Sequence, residues 1–80
     1  MQAEEIHTLV ADVFQEVLDI DDLFLTKETT ADQVDGWDSL AHVRIVIAIE
    51  QVFGIRFDTA EVAGLTNVGD LLNLIEYKLA

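Results

Sequence analysis

The apolar residues near the start of the chain recur at steps of three and four positions. The set consists of Ile6, Leu9, Val10, Val13, Phe14, Val17 and Leu18. This spacing places one apolar stripe along one face of an α-helix, with acidic and amide side chains on the other face. The pattern predicts a first helix that runs roughly from Ala3 to Leu18.

Two more segments of the sequence have helical spacing. The segment from Ser39 to Phe53 is apolar over more than one stripe, so it is either central to the core or presents apolar residues to partners. Gly54 follows it as the expected C-terminal cap. The segment from Val68 to Leu79 predicts the last helix, and its inward residues are expected to be Val68, Leu71, Leu72, Ile75 and Leu79.

A short third helix is expected between these two segments. Asp58 or Thr59 can cap its start, and it should end near Gly64. Asn67, with Asp70 three residues later, resembles a capping box at the start of the last helix.

A long loop, roughly Asp19 to Trp37, separates the first two long helices. It is expected to pack over the helices, with room for a short helical turn, because it carries six apolar anchors: Ile20, Leu23, Phe24, Leu25, Val34 and Trp37. Since no segment shows strand-like alternation, the sequence predicts an all-α four-helix bundle with three long helices and one short third helix. We expect a single domain over residues 1–80.

The charge balance and residue usage exclude several classes of protein. Sixteen acidic residues against four basic ones give a net charge of −12, which repels nucleic acid and anionic membranes and attracts basic protein surfaces. Without cysteine the chain has no thiol of its own. The acidic N-terminus is unlike a secretory signal, and no apolar stretch is long enough for a membrane span. These features predict a cytoplasmic protein with no membrane insertion.

Three aspartates at the start of the loop suggest a calcium loop, but the pattern does not fit. With Asp19 in the first ligand position, Phe24 would take the place of the required glycine and Thr30 the place of the closing glutamate. No metal site is expected.

The sequence around Ser39 places a serine at the beginning of the second helix. Gly36 can supply a bend, Asp38 is a suitable N-cap, and Ser39 then takes the first helical position. An anion attached to its hydroxyl would lie near free N–H groups and the positive end of the helix dipole. A phosphate ester on Ser39 is therefore electrostatically favourable.

The stretch Gly36-Trp37-Asp38-Ser39-Leu40, with Val43, Ile47, Glu50 and Phe53-Gly54-Ile55 after it, resembles the acyl carrier protein family over essentially the whole chain. The resemblance implies the four-helix fold and a 4′-phosphopantetheine arm, taken from coenzyme A and attached to Ser39 by a phosphopantetheinyl transferase. It also implies acyl-loading and acyl-processing enzymes as partners.

The resemblance further assigns roles to residues beside the serine. Asp38 would cap the helix and present Ser39 to the transferase. Leu40, Val43 and Ile47 would lie where the arm and partners pack, and Glu50 matches an acidic position used for basic partners.

The sequence departs from fatty-acid-synthesis carriers in the second helix. Ala41, His42 and Arg44 stand where acidic or polar residues are typical, and Trp37 replaces a smaller residue. Arg44 should therefore repel the basic partners of the family, which predicts a specialised carrier. Trp37 is expected either to pack over the end of the bundle or to contact the cargo, and His7 to be an exposed helix residue.

Three alternatives to this acyl carrier remain open. The first is an aminoacyl or peptidyl carrier, and the second is an acidic helical adaptor without a prosthetic group. The third is a hydrolase built on Ser39, His42 and Asp38, which lacks a Gly-x-Ser-x-Gly pattern, an evident oxyanion hole and a pocket. We expect a monomer that is not an enzyme.

Overall fold

The fold consists of helices joined by loops. The computed structural model describes residues 2–80; Met1, part of the predicted domain 1–80, lies outside them. The helices are α1 (Ala3–Leu18), a 3₁₀ helix (Ala31–Gln33), α2 (Ser39–Phe53), α3 (Thr59–Ala63) and α4 (Val68–Leu79). These bounds confirm the predicted all-α architecture, and α1 packs against both α2 and α4. Within residues 2–80, no helix has the length and apolar character that crossing a membrane requires.

The helix ends follow the expected caps with one exception. Gly54 takes a positive φ of 67° after α2 and donates its N–H to the Glu50 carbonyl. The Asn67 side chain accepts from the Asp70 N–H at 2.8 Å. The reciprocal bond of a capping box was predicted wrongly, because the Asp70 carboxylate accepts from the N–H and hydroxyl of Thr66 instead of from Asn67.

The core forms where the apolar faces of the three long helices meet. In α1 the predicted stripe divides: Ile6, Val10, Val13 and Phe14 are buried, whereas Leu9, Val17 and Leu18 are half-buried. From α2 the core takes Ile45, Ile49 and Phe53, and from α4 it takes Val68, Leu71, Leu72 and Ile75. Ala41 and Val46 of α2 are buried as well, whereas its other large apolar residues are exposed: Leu40, Val43, Ile47 and Val52.

The long loop is packed onto the helices through part of its predicted anchors. Leu25, Val34 and Trp37 are buried, whereas Phe24 is 81% exposed and was wrongly expected to anchor the loop. The loop is also tied to the start of α4, because Val68 and Gly69 donate their N–H groups to the carbonyls of Thr29 and Lys27 at 2.9 and 2.8 Å. These contacts fix the path of the chain that leads into α2.

The expectation that His7 is an ordinary exposed residue is wrong. His7 is half-buried, and its Nε2 lies 2.8 Å from the Leu25 carbonyl oxygen. A carbonyl can only accept, so Nε2 carries the proton and donates. His7 therefore joins α1 to the buried part of the long loop.

An ion pair connects α3 to α4. The Glu61 carboxylate lies 2.8 Å from the Lys78 ammonium. This hydrogen bond, together with one from the Asp58 N–H, lowers the pKa of Glu61 to about 2, and the same contact raises the pKa of Lys78. Among residues 2–80 this is the one ion pair, so most of the sixteen acidic residues have no cationic partner.

This excess of negative charge predicts that added salt stabilises the fold. Raising the ionic strength from about 0.01 M to about 0.15 M shortens the screening length from about 30 Å to about 8 Å, which weakens the repulsion between carboxylates. We expect the melting temperature to rise over this range, and to rise further with millimolar magnesium at matched ionic strength. A melting temperature that stays flat or falls in a calorimetric scan would contradict this prediction.

Candidate functional site

The chain turns sharply before Ser39 and then enters α2. Gly36 has a φ of 85°, which a side-chain-bearing residue rarely adopts, and its carbonyl accepts from the Asp38 N–H at 3.0 Å. The Asp38 carboxylate accepts from the Ala41 N–H at 2.8 Å, as predicted for the N-cap. The Asp38 carbonyl accepts from the His42 N–H, also at 2.8 Å. Ser39 is thus the first residue of the helix.

The hydroxyl of Ser39 is accessible at the positive end of α2. Ser39 is exposed, and it is the only serine in the sequence. Because Asp38 accepts from Ala41 and His42, the N–H groups of Ser39 and Leu40 remain for an anion at the helix start. A phosphate group attached to Ser39 fits this set of donors.

Trp37, which precedes the cap, belongs to the core. Its side chain is 8% exposed, and its ring meets Phe14 edge to face, with ring centroids 4.8 Å apart and planes at 89°. The indole Nε1–H donates to Nδ1 of His42 at 3.1 Å, and the two ring planes are inclined by 28° with centroids 6.0 Å apart. Trp37 therefore connects the core to the first turn of α2.

A cleft of about 380 Å³ opens beside Ser39. It lies between the end of the long loop, the start of α2 and the segment between α3 and α4. Its lining residues are Ala31, Trp37, Asp38, Ser39, His42, Leu65 and Thr66. The Thr66 hydroxyl is already used, since it donates to the Asp70 carboxylate and thereby lowers the pKa of that group.

The presence of this cleft corrects the expectation that Ser39 has no pocket, but it does not create a catalytic triad. His42 Nδ1 accepts from Trp37, and the Asp38 carboxylate accepts from the backbone of Ala41. Asp38 therefore does not orient the imidazole, which a serine–histidine–aspartate relay would require.

The expected partner residues of α2 lie mainly on its exposed side. Leu40, Val43 and Ile47 are 71%, 51% and 48% exposed, and Arg44 is exposed between them. Glu50 differs, because it is half-buried and its carboxylate accepts from the Phe57 N–H at 2.8 Å. Glu50 thus holds the loop between α2 and α3, a role that the sequence did not indicate.

Comparison with known proteins finds similarity to one family of carrier proteins. A family model described as the phosphopantetheine attachment site matches residues 8–75. The chain belongs to this family. It is 36% identical to the acyl carrier protein of Thermotoga maritima over 76 residues, which cover 95% of this chain and 94% of the relative. The solution structure of a holo acyl carrier protein from Geobacter metallireducens has a TM-score of 0.83 and 39% identity, covering 92% of this chain and 84% of that one.

A third relative is named for meromycolate extension. The meromycolate extension acyl carrier protein of Mycobacterium leprae is 34% identical over 74 residues, which cover 91% of this chain and 64% of the relative.

Family membership determines the general role of the chain. It is an acyl carrier protein with a covalently bound phosphopantetheine group, and it is not an enzyme. The carrier role implies contact with a phosphopantetheinyl transferase and with acyl-processing enzymes.

The sequence pattern did not reveal the far side of the cleft. Leu65 and Thr66 reach Ser39 through the tertiary fold, and no local spacing relates them to α2. Trp37 and His42 lie five positions apart in the sequence. Their hydrogen bond depends on the turn at Gly36, so this spacing alone did not predict it.

Proposed function

We propose that Ser39 is the residue that carries the phosphopantetheine group. The observation that supports this most strongly is the position of the chain's only serine, exposed at the start of α2 beside a cleft. When bound, the group supplies a terminal thiol that holds the acyl cargo as a thioester, a sulfur that the cysteine-free chain lacks.

Attachment is a substitution at phosphorus. The Ser39 oxygen attacks the β-phosphorus of coenzyme A, and the new O–P bond replaces the bond to the α-phosphate oxygen. Adenosine 3′,5′-bisphosphate leaves, and the serine proton passes to a base of the transferase. A divalent cation on the transferase neutralises the pyrophosphate. This chain contributes the exposed hydroxyl and the N–H groups that stabilise the resulting phosphate.

Asp38 and Leu40 support the attachment residue from either side. Asp38 fixes the first turn of α2 through Ala41 and presents Ser39 to the transferase. Leu40, the most exposed apolar residue of α2, packs against the transferase or the arm.

The exposed side of α2 serves as the face for partner enzymes. Leu40, Val43 and Ile47 supply its apolar area, and Arg44 adds a positive charge. Glu50, half-buried and bonded to the Phe57 N–H, adds negative charge at the end of this face. Since Arg44 opposes basic partner surfaces, the chain acts as a specialised carrier with dedicated partners rather than as a general fatty-acid-synthesis carrier.

The proposal also covers domain organisation, oligomeric state and localisation. Residues 1–80 act as one carrier domain that is monomeric and cytoplasmic. The net charge of −12 supports the absence of nucleic-acid partners.

Intact-mass measurement tests the carrier function. The apo protein is treated with coenzyme A, magnesium and a broad-specificity phosphopantetheinyl transferase, and one added phosphopantetheine is expected. No addition would favour the adaptor. Loading the product with acyl or aminoacyl groups then separates the acyl carrier from the aminoacyl or peptidyl carrier.

Replacing Arg44 by glutamate should improve recognition by general fatty-acid-synthesis enzymes. The substitution removes a repulsive charge and adds an attractive one, so the association rate should rise by about two- to tenfold at low ionic strength and less at high ionic strength. The measurement is the malonyl-loading rate of the holo protein at two ionic strengths.

Lys27→Glu is the matched control for this variant. Lys27 is exposed on the long loop, so the substitution changes the net charge equally but away from α2. It should change the rate much less than Arg44→Glu does. Equal effects of the two variants, or no gain from Arg44→Glu, would show that Arg44 has no place in partner choice.

A further inference from the structure

Side-chain hydrogen-bond donors are scarce in the cleft beside Ser39. The indole N–H of Trp37 donates to His42, and the Thr66 hydroxyl donates to the Asp70 carboxylate. Asp38 offers only a carboxylate, and neither lysine nor arginine lines the cleft. Apart from the Ser39 hydroxyl itself, the imidazole of His42 is the remaining side-chain donor among the lining residues.

The hydrogen bond from Trp37 determines which imidazole nitrogen can donate. An indole N–H can only donate, so Nδ1 of His42 must accept and must be unprotonated. In the neutral ring the proton then lies on Nε2. Trp37 is itself held in the core by its edge-to-face contact with Phe14. The packing of the core therefore favours the Nε2–H tautomer of His42.

His42 also lies within reach of a group attached to Ser39. The two residues are three positions apart on α2, so their Cβ atoms are about 5–6 Å apart on one face of the helix. Both residues line the same cleft. A phosphate attached to Ser39 would place its oxygens beyond the hydroxyl position, next to the cleft that His42 also lines.

We propose that the Nε2–H of His42 donates a hydrogen bond to the phosphate on Ser39, and that Trp37 is the positioning residue that fixes the required tautomer. This inference rests on the proposed attachment at Ser39. The contact directs the start of the arm along the cleft, between α2 and Leu65, and gives the phosphate a donor in a strongly acidic protein.

The test compares apo and holo protein by nitrogen-15 NMR of the histidine rings and phosphorus-31 NMR of the arm. It is performed in alkaline buffer, at a pH where the nitrogen-15 shifts themselves show both rings to be neutral. Intact mass first establishes that the arm is present in wild type, His42→Leu, His42→Gln and Trp37→Phe. His7 is an internal control, because its Nε2 is bound to Leu25 on another part of the fold.

We expect the His42 ring in wild type to show the Nε2–H tautomer, and its Nε2 signal to shift on attachment while the signals of His7 stay in place. The phosphorus signal should move in His42→Leu and return toward the wild-type position in His42→Gln, whose amide can donate. In Trp37→Phe the apo ring should populate both tautomers, and the phosphorus signal should lie between those of wild type and His42→Leu.

The outcomes distinguish this inference from the proposed function. An arm that is present by mass, with the same His42 ring signals in apo and holo wild type, overturns the inference alone. The same phosphorus chemical shift in wild type and His42→Leu also overturns the inference alone. A single tautomer retained in Trp37→Phe overturns the role of Trp37. Absence of the arm in wild type overturns the proposed function and the inference with it. The wild-type ring signals decide the question even if a variant does not fold.

Discussion

Phe14→Ala is expected to remove about 3–5 kcal/mol from the free energy of unfolding. Phe14 is fully buried on the core-facing side of α1, where its ring and that of Trp37 meet edge to face. The substitution leaves a cavity that the neighbouring helices can fill only in part. Small domains have about 5–15 kcal/mol of stability in total, so this variant should be at or near the limit of folding.

Phe24→Ala is the matched control, because it makes the same chemical change at a residue that is 81% exposed. Its free energy of unfolding should stay within about 0.5 kcal/mol of wild type in a denaturant titration. Phe14→Leu, which keeps more of the volume, gives an intermediate value if Phe14→Ala cannot be titrated. A loss below about 1 kcal/mol for Phe14→Ala would contradict the assigned core.

The sequence predicted the helices because their signals are local. Apolar spacing and caps such as Asp38 and Gly54 act within a few residues, so the bounds of α1, α2 and α4 followed directly from them. The position of Ser39 at the start of α2 followed in the same way from Gly36 and Asp38.

The contacts of the long loop could not be predicted in this way. The bond from His7 to Leu25 joins residues 18 positions apart, and no periodicity relates them. Glu50 was expected to meet basic partners because of its charge, whereas in the structure its carboxylate accepts from the Phe57 N–H. Such side-chain-to-backbone bonds depend on where the loops lie after the helices have packed.

Ser39→Ala is expected to abolish attachment of the phosphopantetheine group completely. In the proposed attachment the Ser39 hydroxyl is the nucleophile, and alanine offers no atom that can take its place. The fold should be retained, because Ser39 is exposed and the cap of α2 is supplied by Asp38. Thr66→Val is the matched control, since it removes the other hydroxyl of the same cleft.

The most direct test is the intact mass of wild type, Ser39→Ala and Thr66→Val after treatment with coenzyme A, magnesium and a phosphopantetheinyl transferase. Circular dichroism first establishes that each variant is folded. We predict one added phosphopantetheine on wild type and on Thr66→Val, and none on Ser39→Ala. Modification that persists in Ser39→Ala, or that is lost in folded Thr66→Val, would contradict the assignment of Ser39 as the single attachment residue.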